Sequence, residues 1–282
     1  MKNYAKKISK IPALIFLSIV FIISIFPIIY IILASFKSNA EILTSGANLL
    51  PEKFITDNYV KAWTLANFKL YTWNSIYMAF FIVIGSIFTS TTIAYVLQRG
   101  KFVGSKFIGG LFLSTMFISL GTSSLFPQLQ VAKLFGLHTS LWGVIIIRVL
   151  GINVTQVFIA KGYMSTISKE IDEAAKIDGC GFIRIYWNII FPLLKPLIAT
   201  IGLLSFRAAW NDYMLPMVFT LAKPDRAPLV VGVVNLRNSG EAASAWNLML
   251  AGTSIAIVPM LTVYLFLNRY FIEGLTSGAV KG

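Results

Sequence analysis

Apolar residues in this chain gather into long runs, with neither the alternation of strands nor the stripes of soluble helices. Six runs reach the ~18–20 residues that carry a helix across a bilayer: Ile11–Ala34, 76–97, 107–126, 139–160, 197–219 and 248–267. The pattern predicts an all-α membrane protein with six transmembrane helices. They would form one membrane domain over residues 1–282, with no soluble catalytic domain attached. The first run follows Lys2, Lys6, Lys7 and Lys10 and is 24 residues long. The apolar stretch of a cleaved signal is about 7–15 residues, so a retained anchor is expected. Two long connections, 35–75 and 220–247, separate the runs. The first carries Pro51, Tyr59, Trp63, Tyr71 and Trp73. Such a segment suits either a loop resting at the membrane interface or a surface for an external partner.

Composition sharpens this picture. Of the 282 residues, 57% are hydrophobic and 12% charged, and mean hydropathy is +0.77. A soluble globular domain and a disordered chain are both excluded. The formal charge of +13 would suggest nucleic acid in a soluble protein. In a chain this apolar it reports topology, because cytoplasmic loops collect Lys and Arg. With the N-terminus inside, fourteen basic residues fall on the inner side and eight on the outer. This count predicts an N-in, C-in chain and places the connection 161–196 in the cytoplasm. A single Cys, Cys180, and a single His, His138, leave no disulfide framework and no metal cluster. No nucleophile–base set is visible, so no catalytic residue, no metal and no enzyme activity are expected.

The connection between the fourth and fifth runs carries the most information. Ser168 suits a helix N-cap, and Glu170, Asp172 and Glu173 follow where carboxylates complement the positive end of a helix. Ala174 and Ala175 continue that helix. Gly179 stands where a left-handed residue ends it, and Gly181 adds freedom at the bend. Phe182, Ile185, Tyr186, Ile189 and Ile190 then repeat at the spacing of one helical face. Pro192 is expected to end this second helix, and Pro196 to enter the first turn of the fifth span. Spacing alone leaves two readings open: an amphipathic helix on the membrane surface, or a helix seated in a partner's groove. Small Ala174 and Ala175 would let a partner approach closely.

Polar residues inside the runs mark functional positions by default. The fifth run holds Arg207, Asn211 and Asp212 with Trp210 and Tyr213 beside them. Aromatic rings next to hydrogen-bonding groups suit a sugar, so Trp210, Asn211, Asp212 and Tyr213 are candidate path residues. The alternative is that Arg207 and Asp212 pair with each other or with neighbouring helices. Arg148 in the fourth run is expected to face protein or a wet cavity. The cluster Thr115, Ser119, Thr122, Ser123 and Ser124 suits helix packing, and Pro259 suits a kink. Neither internal repeats nor paired interrupted helices are apparent.

The string Glu173-Ala-Ala-Lys-Ile-Asp-Gly179, followed by Gly181 and then Phe191-Pro192, resembles the cytoplasmic "EAA" loop of ATP-binding-cassette (ABC) importer permeases. Phe191 stands where Ile or Leu is more usual. The turn 127–143, the segment Ala209-Trp-Asn-Asp-Tyr-Met-Leu-Pro-Met-Val-Phe219 and the ending 271–282 are similar to carbohydrate importers of the maltose type, in particular to the shorter permease of the pair. The likeness spans about residues 70–282. It implies a coupling-helix loop between helices 4 and 5, with Glu173, Ala174, Ala175, Asp178, Gly179, Gly181 and Pro192 as ATPase-coupling residues. It further implies a second permease subunit of a different chain, two cytoplasmic ATPase subunits that hold the ATP and Mg2+, and an extracellular solute-binding protein. The chain itself would bind no cofactor and no nucleic acid. It would sit among lipid as a multi-pass protein of a prokaryotic cytoplasmic (inner) membrane and pass a sugar by alternating access. The tail 274–282 resembles an element that in some members reaches the ATPase dimer. Two alternatives stand beside this: the same architecture with a non-sugar solute, and an ion-coupled secondary transporter.

Overall fold

A computed structural model describes residues 11–44, 48–65, 67–100, 102–118, 121–236 and 245–279, with side chains in the last stretch through residue 267. Lys2, Lys6, Lys7, Lys10, Lys101, Ser119, Arg237 and Lys281 lie outside the described residues, as do the last three residues of the tail. The described residues are helical and contain no strand. They form two compact units, one from Met1–Phe68 with Gly232–Val258, the other from Lys69–Val231 with Pro259–Gly282.

The first unit begins with helix α1, Ile11–Ala34, which has the limits of the first apolar run. Its side chains are apolar on every face and only Ala34 is buried, the condition of a helix made for lipid. The segment after it is folded. Helices α2 (Asn39–Thr44) and α3 (Asp57–Leu65) pack around a polar centre. Lys37 is 2% exposed; it donates to the Asn48 carbonyl at 2.6 Å and faces Glu41 at 3.6 Å. Asn58 donates to the carbonyls of Ser35 and Lys37, both at 2.8 Å, and accepts from Asn247 at 2.8 Å. Phe36 packs on Phe54 and Tyr59. The first long connection is thus an ordered cap on the end of α1, with its own interior.

The second unit starts with helix α4, Phe68–Arg99, which extends the predicted run by two turns at its N-terminal end. Three further expected spans are broken. Helix α5 (Ser105–Thr115) ends inside the third run, a 3-10 turn follows at Gly121–Ser124, and α6 (Leu125–Leu134) continues. Ser114 and Thr115 bond back to the carbonyls of Leu111 and Phe112 at 2.8 and 2.7 Å, competing with the helix ladder, and Gly121 has φ +51°. The fourth run is α7 (Leu141–Leu150) and α8 (Val154–Met164), bent by 46°. The fifth is α11 (Lys195–Trp210) and α12 (Met214–Thr220). Between them lie α9 (Glu170–Ile177) and α10 (Phe182–Leu193). Helix α13 (Leu229–Leu236) and helix α14 (Trp246–Ala279), which carries Pro259, complete the chain.

Three described helices are long and apolar enough to cross a membrane, and two bent pairs satisfy the same measure when each pair is taken together. The interior of the second unit is built where α4, α8, α10 and α11 meet, around Ala94, Tyr95, Val157, Ala160, Ile185, Tyr186, Leu197 and Ile201. Helix α12 packs on α6 and α7; Gly143 admits the fully buried Phe219 ring there, in space a Cβ would occupy.

The hydrogen bonds of Asn58 give a direct test of the cap. Asn58→Ala strands two buried carbonyls and the Asn247 amide, which costs at least about 2 kcal/mol. The expected result is a lower midpoint of thermal aggregation for the detergent-solubilised protein. Asn58→Asp, equal in shape but lacking the two amide donors, is expected to fare no better.

Candidate functional site

Two arrangements in the second unit carry the predicted residues. The first is the bent element formed by α9 and α10. Ser168 Oγ accepts the Glu170 N–H at 3.2 Å, as an N-cap does. At the other end Gly179 has φ +80°. The Cys180 N–H reaches the Ala175 carbonyl at 2.9 Å and the Gly179 N–H reaches Lys176 at 3.0 Å. This is the paired ending that a left-handed residue makes possible. A Cβ at Gly179 would meet nothing within 4 Å, so the requirement for glycine lies in the dihedral alone.

The helix has two faces. Asp172 and Ala175 turn inward and are buried. Glu173, Ala174 and Ile177 are exposed, Ile177 at 87%. Only one of the two small residues thus presents itself outward; Ala175 packs against the unit's own core. Asp178, Gly179 and Gly181 are also exposed. In α10, Ile185, Tyr186 and Ile190 are buried and Ile189 half-buried, while Phe182 is 39% exposed.

Pro192 does not end α10. The helix runs on to Leu193 and turns by 80° into α11. A π-helical turn at Tyr186–Ile190 precedes it. A widened turn relieves the clash between a proline ring and the carbonyl four residues earlier. Pro192 itself is exposed, and Pro196 lies in the first turn of α11 as expected.

Hydrogen bonds and rings seat this element on the end of α4. Tyr186 OH pairs with Thr91 Oγ1 at 2.8 Å. Tyr95 OH donates to the Phe182 carbonyl at 3.2 Å, and its ring lies 4.5 Å from Phe182 and 5.0 Å from Tyr186.

The second arrangement is a cavity of about 710 Å³. The breaks of two of the three interrupted runs open onto it: Gly151 and Asn153 between α7 and α8, and Asn211, Asp212 and Tyr213 between α11 and α12. Ile152 has φ +34°, and Asn153 Oδ1 caps α8 by accepting the Gln156 N–H at 3.2 Å. Asn211 Nδ2 donates to the Arg207 carbonyl at 2.9 Å. Arg148 donates from Nε to Asp212 Oδ2 at 2.7 Å, with Nη2 at 2.6 Å from the same oxygen. The Asp212 side chain is 8% exposed and that of Arg148 45%. Gln128, Ser86, Gln156 and Ser205 complete a polar lining, the last two joined at 3.0 Å.

Three of the four path candidates therefore meet in one cavity. Trp210 does not: it is 3% exposed and stacks on Phe206 at 5.4 Å. Of the two pairings expected, with each other or with neighbouring helices, Asp212 takes the second, through Arg148, and Arg207 is exposed. Gln128, Asn153, Gln156 and Ser205 were not anticipated. The lone amides in an apolar run were the available signal. Among the described residues no group of His, Cys, Asp and Glu is arranged to hold a metal ion.

The sequence matches, over residues 3–276, the family described as "Binding-protein-dependent transport system inner membrane component". A probable starch degradation products transport system permease protein of Thermoanaerobacterium thermosulfurigenes is 35% identical over 272 residues, covering 95% of this chain and 96% of its own. The maltodextrin transport system permease protein of Bacillus subtilis is 30% identical over 287 residues, covering 99% and 98%. A chain in the crystal structure of a bacterial ABC transporter involved in the import of the acidic polysaccharide alginate matches with a TM-score of 0.80 at 25% identity. That match covers 95% of this chain and 98% of the other.

The Arg148–Asp212 pair lies between the surface and buried limits, where losing one partner costs about 2 kcal/mol. Arg148→Ala and Asp212→Ala should each lower the thermal midpoint in detergent. The double variant should be no less stable than either single one, as a double-mutant cycle would show.

Proposed function

The chain belongs to the family of binding-protein-dependent inner membrane transport components, and from that premise we propose that it is one permease subunit of an ATP-driven importer of sugars or oligosaccharides. Its relatives are transport permeases whose names specify maltodextrin or starch degradation products. The observation that carries the proposal is the two-faced helix α9. One face is locked into the membrane unit through Asp172 and Ala175, and the other shows Glu173, Ala174 and Ile177. A helix built this way serves as a lever. Its outer face seats in a cytoplasmic ATPase, and its inner face moves the spans. Glu173, Ala174 and Gly179 act at the contact or set its shape; Ala175 acts from inside, as packing. Asp178, Gly181 and Pro192 shape the corner and the return.

In this reading the chain crosses the membrane six times as a single permease domain with both termini inside, in the inner membrane of a prokaryote. It pairs with a second permease, two ATPases that bind ATP and Mg2+, and an external binding protein. It carries out no catalysis and binds no cofactor itself. ATP favours the closed ATPase, and the permease population follows. The cavity at the two breaks is its part of the sugar path. Asn211, Asn153 and Gln128 offer hydrogen bonds, and Tyr213 offers an apolar ring face. The ion pair neutralises the charge of Arg148 and Asp212, so a neutral glycan suits this lining.

Paired helix breaks around one cavity also occur in ion-coupled transporters. The family and its relatives favour ATP. Uptake that survives ATP depletion and collapses with the ion gradient would reverse that choice.

Gly179 provides the test. A β-branched residue at φ +80° is strongly disfavoured, and there is no steric clash to confound it. Gly179→Val is expected to remain in the membrane in native amounts while sugar uptake by cells falls to background. Normal uptake by this variant would overturn the lever reading.

A further inference from the structure

Arg99, the last residue of α4, makes two contacts that no motif announced. Its Nη2 donates to the Ile167 carbonyl at 2.7 Å, in the turn after α8. Its Nε lies 3.1 Å from Asp172 Oδ2 on the inner face of α9. Both side chains are 7% exposed. One guanidinium thus joins the end of one predicted span, the exit of another and the lever helix. The placement suits the helix ends: a cation at the C-terminus of α4 and an acid in the first turn of α9.

Stability is a poor explanation for this pair. Neither Asp172 oxygen has a hydrogen-bond partner among the described residues, and Arg99 Nε approaches as a charge contact without hydrogen-bond geometry. A buried pair so incompletely bonded recovers little of its desolvation cost. What it supplies is position. Asp172 immediately precedes Glu173, which is exposed beside it. Arg99, Asp172, Glu173 and Lys176 line one cleft of about 300 Å³.

Resting on the coupling reading above, we infer that the Arg99–Asp172 pair is the positioning link through which displacement of α9 is passed to the ends of α4 and α8. An ATPase pressing on the outer face of α9 pulls on Asp172. Arg99 converts that pull into a joint movement of two spans. Without it, α9 slides on its apolar contacts and the spans lag.

The test uses the assembled importer, purified through a tag on this chain and reconstituted in liposomes. Cys180→Ser with Ala208→Cys places one thiol at the wall of the cavity. Its labelling rate by a membrane-impermeant maleimide is compared without nucleotide and after trapping with ATP and vanadate. In Arg99→Met/Asp172→Leu, apolar residues of similar size remove the buried charges together. This variant is expected to assemble and hydrolyse ATP, while the nucleotide-dependent change in labelling shrinks about tenfold. Arg99→Lys keeps the charge but serves only one of the two contacts, and is expected to lose about threefold. A full response in both variants would overturn the inference. So would a double variant that fails to reach the membrane together with a fully responsive Arg99→Lys, since the pair would then serve folding alone. If the thiol ignores ATP with Arg99 and Asp172 intact, the fault lies with the coupling reading itself.

Discussion

A backbone that enters hydrocarbon has to satisfy its own N–H and C=O groups, and irregular chain is tolerated only where protein or a wet cavity receives it. That requirement orders the second unit. The breaks at 151–153 and 211–213 do not face outward. Both open on the same cavity, and side chains attend each one: Asn153 caps the helix that follows, and Asn211 returns to a carbonyl of the helix before. Two breaks on one cavity concentrate polar chain in a single place, where Arg148 and Asp212 join across it. The polar lining of the cavity thus follows from the same constraint.

Helix α9 shows how little of this structure local propensity supports. An eight-residue helix is marginal alone. Helix α9 exists because Ala175 is buried beneath it, because Gly179 closes its end, and because α10 returns Ile185 and Tyr186 into the core of α4. Its buried contacts attach it to α4, so a helix of this kind is not free to move by itself. The π-helical turn at Tyr186–Ile190 belongs to the same logic, since it keeps Tyr186 on Thr91 while accommodating Pro192 three residues after Ile189.

Much of the first-order plan was legible in the chain. Apolar run length places α1 at both of its ends, and the helical pattern before Gly179 marks that glycine as left-handed. Run length was blind to breaks, because hydropathy averages over them. Gly151-Ile-Asn153 costs a window little hydrophobicity, yet it interrupts the fourth run. Partnership was also hidden. The spacing offers Asp212 either Arg207 or a neighbouring helix, and only the fold selects Arg148, 64 residues away. Trp210 was judged by type, and its burial against Phe206 depends on which face of α11 turns inward. Ala174 and Ala175 look equivalent in sequence, but the 100° step between successive helix positions turns one outward and buries the other.

The few acids explain why an apolar chain keeps charges at all. Three ion pairs among the described residues follow one rule. Lys37 stands just past the end of α1 and faces Glu41 in the first turn of α2. Arg99 ends α4 and faces Asp172 in the first turn of α9. Arg148 lies in the last turn of α7 and faces Asp212 just before α12. Each cation sits at the negative end of one helix and each acid at the positive start of another, so dipole and charge act together. In a medium of low dielectric such an arrangement is stronger than in water, and far more sensitive to geometry. Apolar packing can slide by a fraction of a turn at small cost; a charge joining two helix ends cannot. Placing scarce charges at helix junctions therefore defines the relative position of elements that hydrophobic contact alone would leave loosely specified.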